Sequence, residues 1–257
     1  MSTALAKGTR ANKISQLKIT RTFFNDHGLN YCPPTQRSLT SFMEFLARTG
    51  KGYKTIRAYI TLLIQLNRAY STNIRVFKSY ETIQMMKCLK ATIPYTADKR
   101  QPISANMLKR LIEKCPILEE ESKMMAFTLA LAFCGFLRRS NLAPRTLKEF
   151  NHRKHATMKD IEEVRTGLSM TVKWTKTRQN ASPLTLYIPS IPGSKYDPKK
   201  LWRNYILSCK RIPSKKYPPL LQTPDGSSVT LHKLAKNLAT LVSAIGQDPH
   251  TYTFHAL

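Results

Sequence analysis

The chain runs to 257 residues, 42% of them hydrophobic, with 42 Lys and Arg against 15 Asp and Glu and a formal net charge of +27. The apolar share can fill one large domain or two modest ones, while a charge excess of this size repels itself and points to a polyanionic partner. Five scattered cysteines with no CxxC pair exclude a disulfide framework and a zinc module, and the apolar run from Met124 to Leu137 falls short of the roughly 20 residues of a membrane span.

Both halves share the charge. Residues 1–100 hold 17 Lys and Arg and 4 Asp and Glu, a net of +13; residues 101–257 hold 25 and 11, a net of +14. A basic disordered arm on an inert domain would be lopsided, so two folded parts gripping one polymer are expected. The first thirty residues carry charges throughout, with no apolar core of a signal peptide.

From about residue 10 to 96 the pattern is helical. Leu17, Ile19, Phe23 and Phe24 begin an apolar series that Asp26-His27-Gly28 closes. Pro33-Pro34 breaks the chain, and Thr35 or Ser38 caps a helix carrying Leu39, Phe42, Met43 and Leu46 at i, i+3, i+4 and i+7. Gly50 and Gly52 interrupt it. Tyr53 to Tyr70 follows, with Ile56, Tyr59, Ile60, Leu63 and Asn67 on one side and Lys54, Arg57, Thr61 and Arg68 along another. A solvated face explains such a stripe on any single helix, but solvated helices mix signs to gain i,i+4 pairs, and no Asp or Glu occurs from Tyr53 to Tyr80. A helix laid against DNA phosphates is therefore preferred, with Lys54, Arg57 and Arg68 as contacts.

Residues 92–103 form a polar, proline-bounded connector that divides a helical domain, 1–96, from a second domain, 97–257. Ser104 caps a helix burying Met107, Leu108, Leu111, Ile112 and Cys115. Glu119–Glu121 place acids at the positive end of the Met124–Leu137 helix. Leu168–Thr175 and Leu184–Ile188 read as strands around a basic loop, Lys176 to Pro183. Lys199–Cys209 and Leu231–Ile245 read as helices. His152-x-x-His155 has half the spacing of a metal site, but its neighbours are Arg153 and Lys154 and it lacks a Cys partner, so no metal is assigned.

The most informative stretch is AFCGFLRRSNLAP, Ala132 to Pro144. An apolar helix ending at Leu137 delivers Arg138 and Arg139, and arginine at the end of a buried helix is costly unless a carboxylate or another anion receives it. A core-edge ion pair is one answer to that cost. The other comes from a resemblance. Leu137-Arg138-Arg139-Ser140-Asn141-Leu142 resembles the first box of the tyrosine recombinase/integrase family, a Gly-Leu-Arg-x-Ser-Glu-Leu pattern that supplies a catalytic arginine. With Asn141 where Glu is usual, it is similar to recombinases of the DIRS-like and Ngaro-like retroelements and the Cryptons.

Two more features follow in the family's order. Val172 to Gln179 fits the place of the family's hairpin lysine, with Lys176 as the candidate and Lys173 as the alternative. Tyr252-Thr253-Phe254-His255-Ala256-Leu257 resembles a His-x-Leu-Arg box that supplies His255 and stops short of the arginine. The run Gly52 to Tyr59 is similar to the family's core-binding domain, so the likeness covers nearly the whole chain.

The resemblance implies a mainly α fold: a helical, SAM-like core-binding domain and an α-rich catalytic domain with a small antiparallel sheet, together a C-shaped clamp on duplex DNA. It implies Arg138, Lys176 and His255 as catalytic residues, joined on DNA by Lys54, Arg57, Arg68, Arg139, Lys173 and Arg178. In that chemistry a tyrosine attacks a DNA phosphate. Guanidinium groups bind the non-bridging oxygens, and lysine and histidine move protons, with no cofactor and no metal.

The resemblance places the second arginine and the nucleophilic tyrosine beyond Leu257, and the eleven tyrosines present lie elsewhere; Tyr252 is expected to pack beside the second box. This chain is thus expected to bind DNA without cutting it, as a fragment or a decayed mobile-element copy, with its second domain poorly finished at the end. A non-catalytic duplex-binding protein is the alternative. A basic RNA-binding or ribosomal protein is a third reading, disfavoured because the aromatics fall mainly on apolar faces. The resemblance further implies a tetramer on DNA at full length, no membrane, and a nuclear location if the source is eukaryotic, cytoplasmic otherwise.

Overall fold

The computed structural model describes residues 7–94, 101–116, 119–174, 182–209, 216–223 and 226–252. Among these the chain is mainly helical, with one three-stranded antiparallel sheet. It divides into two compact units, Met1–Asp98 and Lys99–Leu257.

The first unit holds α1 (Lys7–Asp26), α2 (Gln36–Arg48), α3 (Tyr53–Ala69), a 3-10 turn (Arg75–Lys78) and α4 (Tyr80–Thr92). Its helices form because apolar residues recur at helical spacing and each start has a reason. Thr35, rather than Ser38, caps α2 by accepting from the Ser38 amide, and Ser79 caps α4 by accepting from Thr82. Leu39, Phe42, Met43 and Leu46 of α2 are fully buried and meet Phe23 and Phe24 of α1 and Ile56, Tyr59, Ile60 and Leu63 of α3. The Phe42 ring lies 5.3 Å from Phe24 and 6.0 Å from Tyr59. Asn67 is buried but satisfied: its amide donates to the carbonyls of Tyr31 (3.1 Å) and Leu63 (2.9 Å), and its oxygen accepts from Thr72 (2.7 Å).

The second unit is built around α6 (Glu120–Cys134), which buries every residue from Met124 to Ala132. A helix apolar on all sides needs cover on all sides. α8 (Pro198–Ser208) supplies part of it, with Trp202 and Tyr205 rings 5.0 and 5.7 Å from Phe127. α5 (Ala105–Glu113), capped by Ser104, and α9 (Leu231–Ala244) contribute to the same core. β1 (Ile161–Val164), β2 (Gly167–Val172) and β3 (Leu184–Pro189) pair in that order, with Ile161 opposite Met170 and Leu168 opposite Ile188. Gly167 is required there: a Cβ would sit 2.2 Å from the Ile188 carbonyl oxygen.

Three expectations need correction. The apolar helix stops at Cys134, three residues before Leu137, and a four-residue helix, α7 (Arg139–Leu142), follows. The strand expected at Leu168–Thr175 begins at Gly167 and ends at Val172, so Lys173 stands just past it. β1 was not anticipated: its two central residues, Glu162 and Glu163, are exposed, and only Ile161 is buried. Among the described residues no helix is long and apolar enough to cross a membrane.

Candidate nucleic-acid interface

The end of α6 decides where Arg138 goes. Gly135 caps the helix, the Phe136 amide bonds the Phe133 carbonyl (3.4 Å), and the Leu137 amide bonds the Ala132 carbonyl (3.0 Å). This is a Schellman arrangement, and the left-handed residue that closes it is Phe136, at φ +47°. A bulky side chain there costs about 1–2 kcal/mol. The turn buries Leu137 again and leaves Phe136 88% exposed. Arg138 then becomes the N-cap of α7, in extended backbone and exposed to solvent. The cost argued for an arginine leaving a buried helix is thereby removed: the helix has already ended. Among the described residues no carboxylate or other acceptor holds the Arg138 side chain. From Arg138 to Lys159 the chain has seven Lys and Arg and one Glu, so the surface around the box is cationic.

Asn141 points inward and is buried. Its amide donates to the backbone carbonyl of Trp174, two residues past the end of β2. The Trp174 ring in turn carries the Lys154 ammonium, 4.3 Å from its centre. The Asn141 carbonyl accepts from the Ala156 amide (3.0 Å). The side chain therefore ties the arginine box to the end of the β2 segment at Trp174, and the backbone carbonyl ties it to Ala156. Sequence reasoning noted Asn141 only as a departure from Glu; its partner lies 33 residues away, beyond any local pattern.

Lys173 lies close by in an ion pair with Asp160 (2.5 Å), whose carboxylate also accepts from the amide and hydroxyl of Thr157. Lys176, Arg178 and His255 lie outside the described residues. Tyr252 is partly buried and donates to Gln101 (3.0 Å), while the Gln101 amide bonds the Thr251 carbonyl (2.9 Å). The two histidines of the HxxH pair are used separately. His155 is buried, accepts from the Asn151 amide at Nδ1 (3.0 Å), and stacks on Phe150; burial, helped by Lys154, pushes its pKa down. His152 lies flat on Tyr217, ring centres 4.1 Å apart. Among the described residues no group of three or more His, Cys, Asp and Glu could hold a metal ion. The Cys115 thiol is pushed up to about 12 by burial, which leaves it unreactive.

In the first unit, Lys54, Arg57, Thr61 and Arg68 are all exposed on α3, on the side away from its buried residues. Lys13 of α1 reaches the same stripe and donates to Gln65 (2.7 Å). Neither Lys13 nor Gln65 was singled out from sequence; the 4-residue step from Thr61 to Gln65 was the available signal.

No family model matches the chain, and no curated protein matches it. Solved structures do. The chain is similar to a Tn1549 transposon integrase in complex with circular intermediate DNA, at 14% identity, covering 99% of this chain and 79% of that one with a TM-score of 0.60. It is also similar to a lambda integrase dimer bound to a COC′ core site, at 15% identity, 99% and 63% coverage and a TM-score of 0.59. A Tn1549 integrase in complex with transposon right end DNA gives 13% identity, 99% and 79% coverage and a TM-score of 0.55. These are tyrosine recombinases, and the chain has their fold. It spans less than two thirds of the lambda integrase chain.

Proposed function

We propose that this chain is a duplex-DNA-binding protein of the tyrosine recombinase type, whose second unit presents Arg138 to a backbone phosphate. The observation that carries the reading is the pairing of that fold with an exposed Arg138 guanidinium, held by no acceptor among the described residues, on a strongly cationic segment. The integrases that share the fold are bound to DNA, which supports the same partner here.

In the proposed reaction the attack of a tyrosine oxygen on phosphorus concentrates negative charge on the non-bridging oxygens. Arg138 can meet two of them at once, and as a permanently charged, planar group it needs no proton adjustment to do so. Lys176 is the proposed proton donor to the departing 5′-oxygen, because Lys173 is engaged by Asp160; His255 assists at the phosphate. Arg139 and Arg178 are proposed to extend the grip. Asn141 is a proposed positioning residue: it holds the arginine box to Trp174, two residues before Lys176 in the sequence. None of the eleven tyrosines stands where the resemblance puts the nucleophile, so these 257 residues are proposed to bind DNA without forming a covalent link to it. Assembly of several copies on DNA belongs to the same proposal.

The test is a titration of binding to duplex DNA, single-stranded DNA and RNA of one sequence across salt concentration. Tight duplex binding that falls steeply with salt supports the reading, since each phosphate neutralised releases counterions. Equal or stronger binding to single strands, or duplex binding indifferent to salt, contradicts it.

A further inference from the structure

α3 carries more than a row of cations. Its exposed positions Lys54, Arg57, Thr61, Gln65 and Arg68 fall within an arc of about 80° at 100° per residue and span about 21 Å of helix. Along that stripe the helix's own charges sit at the two ends, with Thr61 and Gln65 between them, small, partly buried Ala58 beside them and the Lys13 ammonium of α1 joining at Gln65. Arg57 and Arg68 are eleven residues apart, about 16 Å along the axis. A major groove is about 12 Å wide, with phosphates along both walls and base edges on its floor. A helix that reads bases needs short or amide-bearing side chains at its centre, and Thr61 and Gln65 are of that kind.

The two central side chains are already arranged. Thr61 donates its hydroxyl to the Arg57 carbonyl (2.8 Å), so the hydroxyl is committed to the helix and the methyl is what the exposed residue offers. Gln65 is turned by Lys13. An ammonium can only donate, so its 2.7 Å bond selects the amide oxygen and fixes which way round the amide lies. Nε2 keeps both hydrogens available among the described residues, and Oε1 keeps its second lone pair. That donor-acceptor pair complements adenine, which presents the N6 amino donor beside the N7 acceptor in the major groove; a threonine methyl complements the methyl of thymine.

We infer that α3 lies in the major groove and reads sequence there, with Gln65 held by Lys13 to recognise an adenine and Thr61 contacting a thymine methyl on a neighbouring pair. Lys54 and Arg57 at one end and Arg68 at the other hold the groove walls. This rests on the duplex-DNA reading and adds to it a specificity that phosphate contacts cannot supply.

The experiment is selection of binding sites from randomised duplex DNA by the full chain and by its Gln65→Ala and Gln65→Arg variants. All three differ only at an exposed helical position, so folding is not at stake. The wild-type chain is expected to recover sites with one adenine preferred on the order of ten- to a hundredfold. Gln65→Ala is expected to lose that preference, and Gln65→Arg to move it to guanine. Identical preferences in the wild type and Gln65→Ala, or duplex binding with no base preference at all, would overturn the inference and leave the duplex-DNA reading standing. Failure of the wild type to bind any duplex would overturn both.

Discussion

α3 and the α6–α7 turn both present arginines to solvent, and they do it by opposite means. On α3 the apolar and cationic sides are separated by helical period alone: one 17-residue helix buries Ile56, Tyr59, Ile60 and Leu63 and exposes Lys54, Arg57 and Arg68. At the other place a helix buried on all sides has no exposed face to use, so the chain leaves it through a left-handed phenylalanine and restarts with Arg138 as an N-cap. The first device is stable and repeatable. The second is strained and anchored by long-range bonds. A basic helical face can be written in periodicity; an arginine that follows a buried helix is placed by tertiary structure.

That contrast can be broken by mutation. Replacing Lys54, Arg57 and Arg68 together with Ala is expected to lower duplex affinity on the order of a hundredfold and to flatten the log–log salt slope by about 3. Arg138→Ala alone should cost no more than a few-fold and change the slope by about 1. Fluorescence anisotropy across a salt series measures both, and an Arg138 effect larger than the triple would reverse the division of labour.

Asn141→Ala should destabilise the second unit by about 1–2 kcal/mol, because the half-buried Trp174 carbonyl loses its donor. Asn141→Asp should cost at least as much, since a carboxylate cannot donate to that carbonyl. In urea unfolding the midpoint should fall with the slope unchanged. If both variants melt like the wild type, the tie between the arginine box and Trp174 carries no weight.

His155 gives that unit a pH dependence. Its folded-state pKa is depressed by burial, so the unfolded chain binds a proton more readily as pH falls through the ordinary histidine value of 6.5. Stability is then complete above that value and is lost below it, and the Asn151 amide bond to neutral Nδ1 is lost on protonation. His155→Asn should lower the starting stability but flatten its decline between neutral and mildly acidic pH in thermal melts. The smallest effect is a gain. Phe136→Gly relieves a left-handed bulky residue with no packing to lose, so stability should rise by about 0.5–1 kcal/mol after the entropy cost of glycine. A destabilised Phe136→Gly would mean that the exposed ring packs on something.

What was legible in the sequence follows the same line. The core face of α2, both faces of α3 and the Ser104 cap on α5 are local and periodic, and they stand where the spacing put them. The stop of α6 was missed because Gly135, the natural breaker, keeps negative φ, while the left-handed turn falls on Phe136, which no propensity would nominate. β1 was missed because two of its four residues are exposed glutamates and its partner strand supplies most of the burial. At the candidate site, motif alone nominated Arg138 and Lys176, of which the structure describes Arg138. The Asp160 pairing of Lys173 and the Asn141 hold on Trp174 could not be read that way, because both join residues far apart in sequence.

The central claim is that the Arg138 guanidinium receives one backbone phosphate of duplex DNA. It is tested most directly by scanning a bound duplex with single methylphosphonate substitutions, each removing one negative charge, against the wild-type chain and Arg138→Ala. One phosphate whose neutralisation weakens the wild type but leaves Arg138→Ala unaffected is the predicted result. Losses that simply add at every phosphate would contradict it.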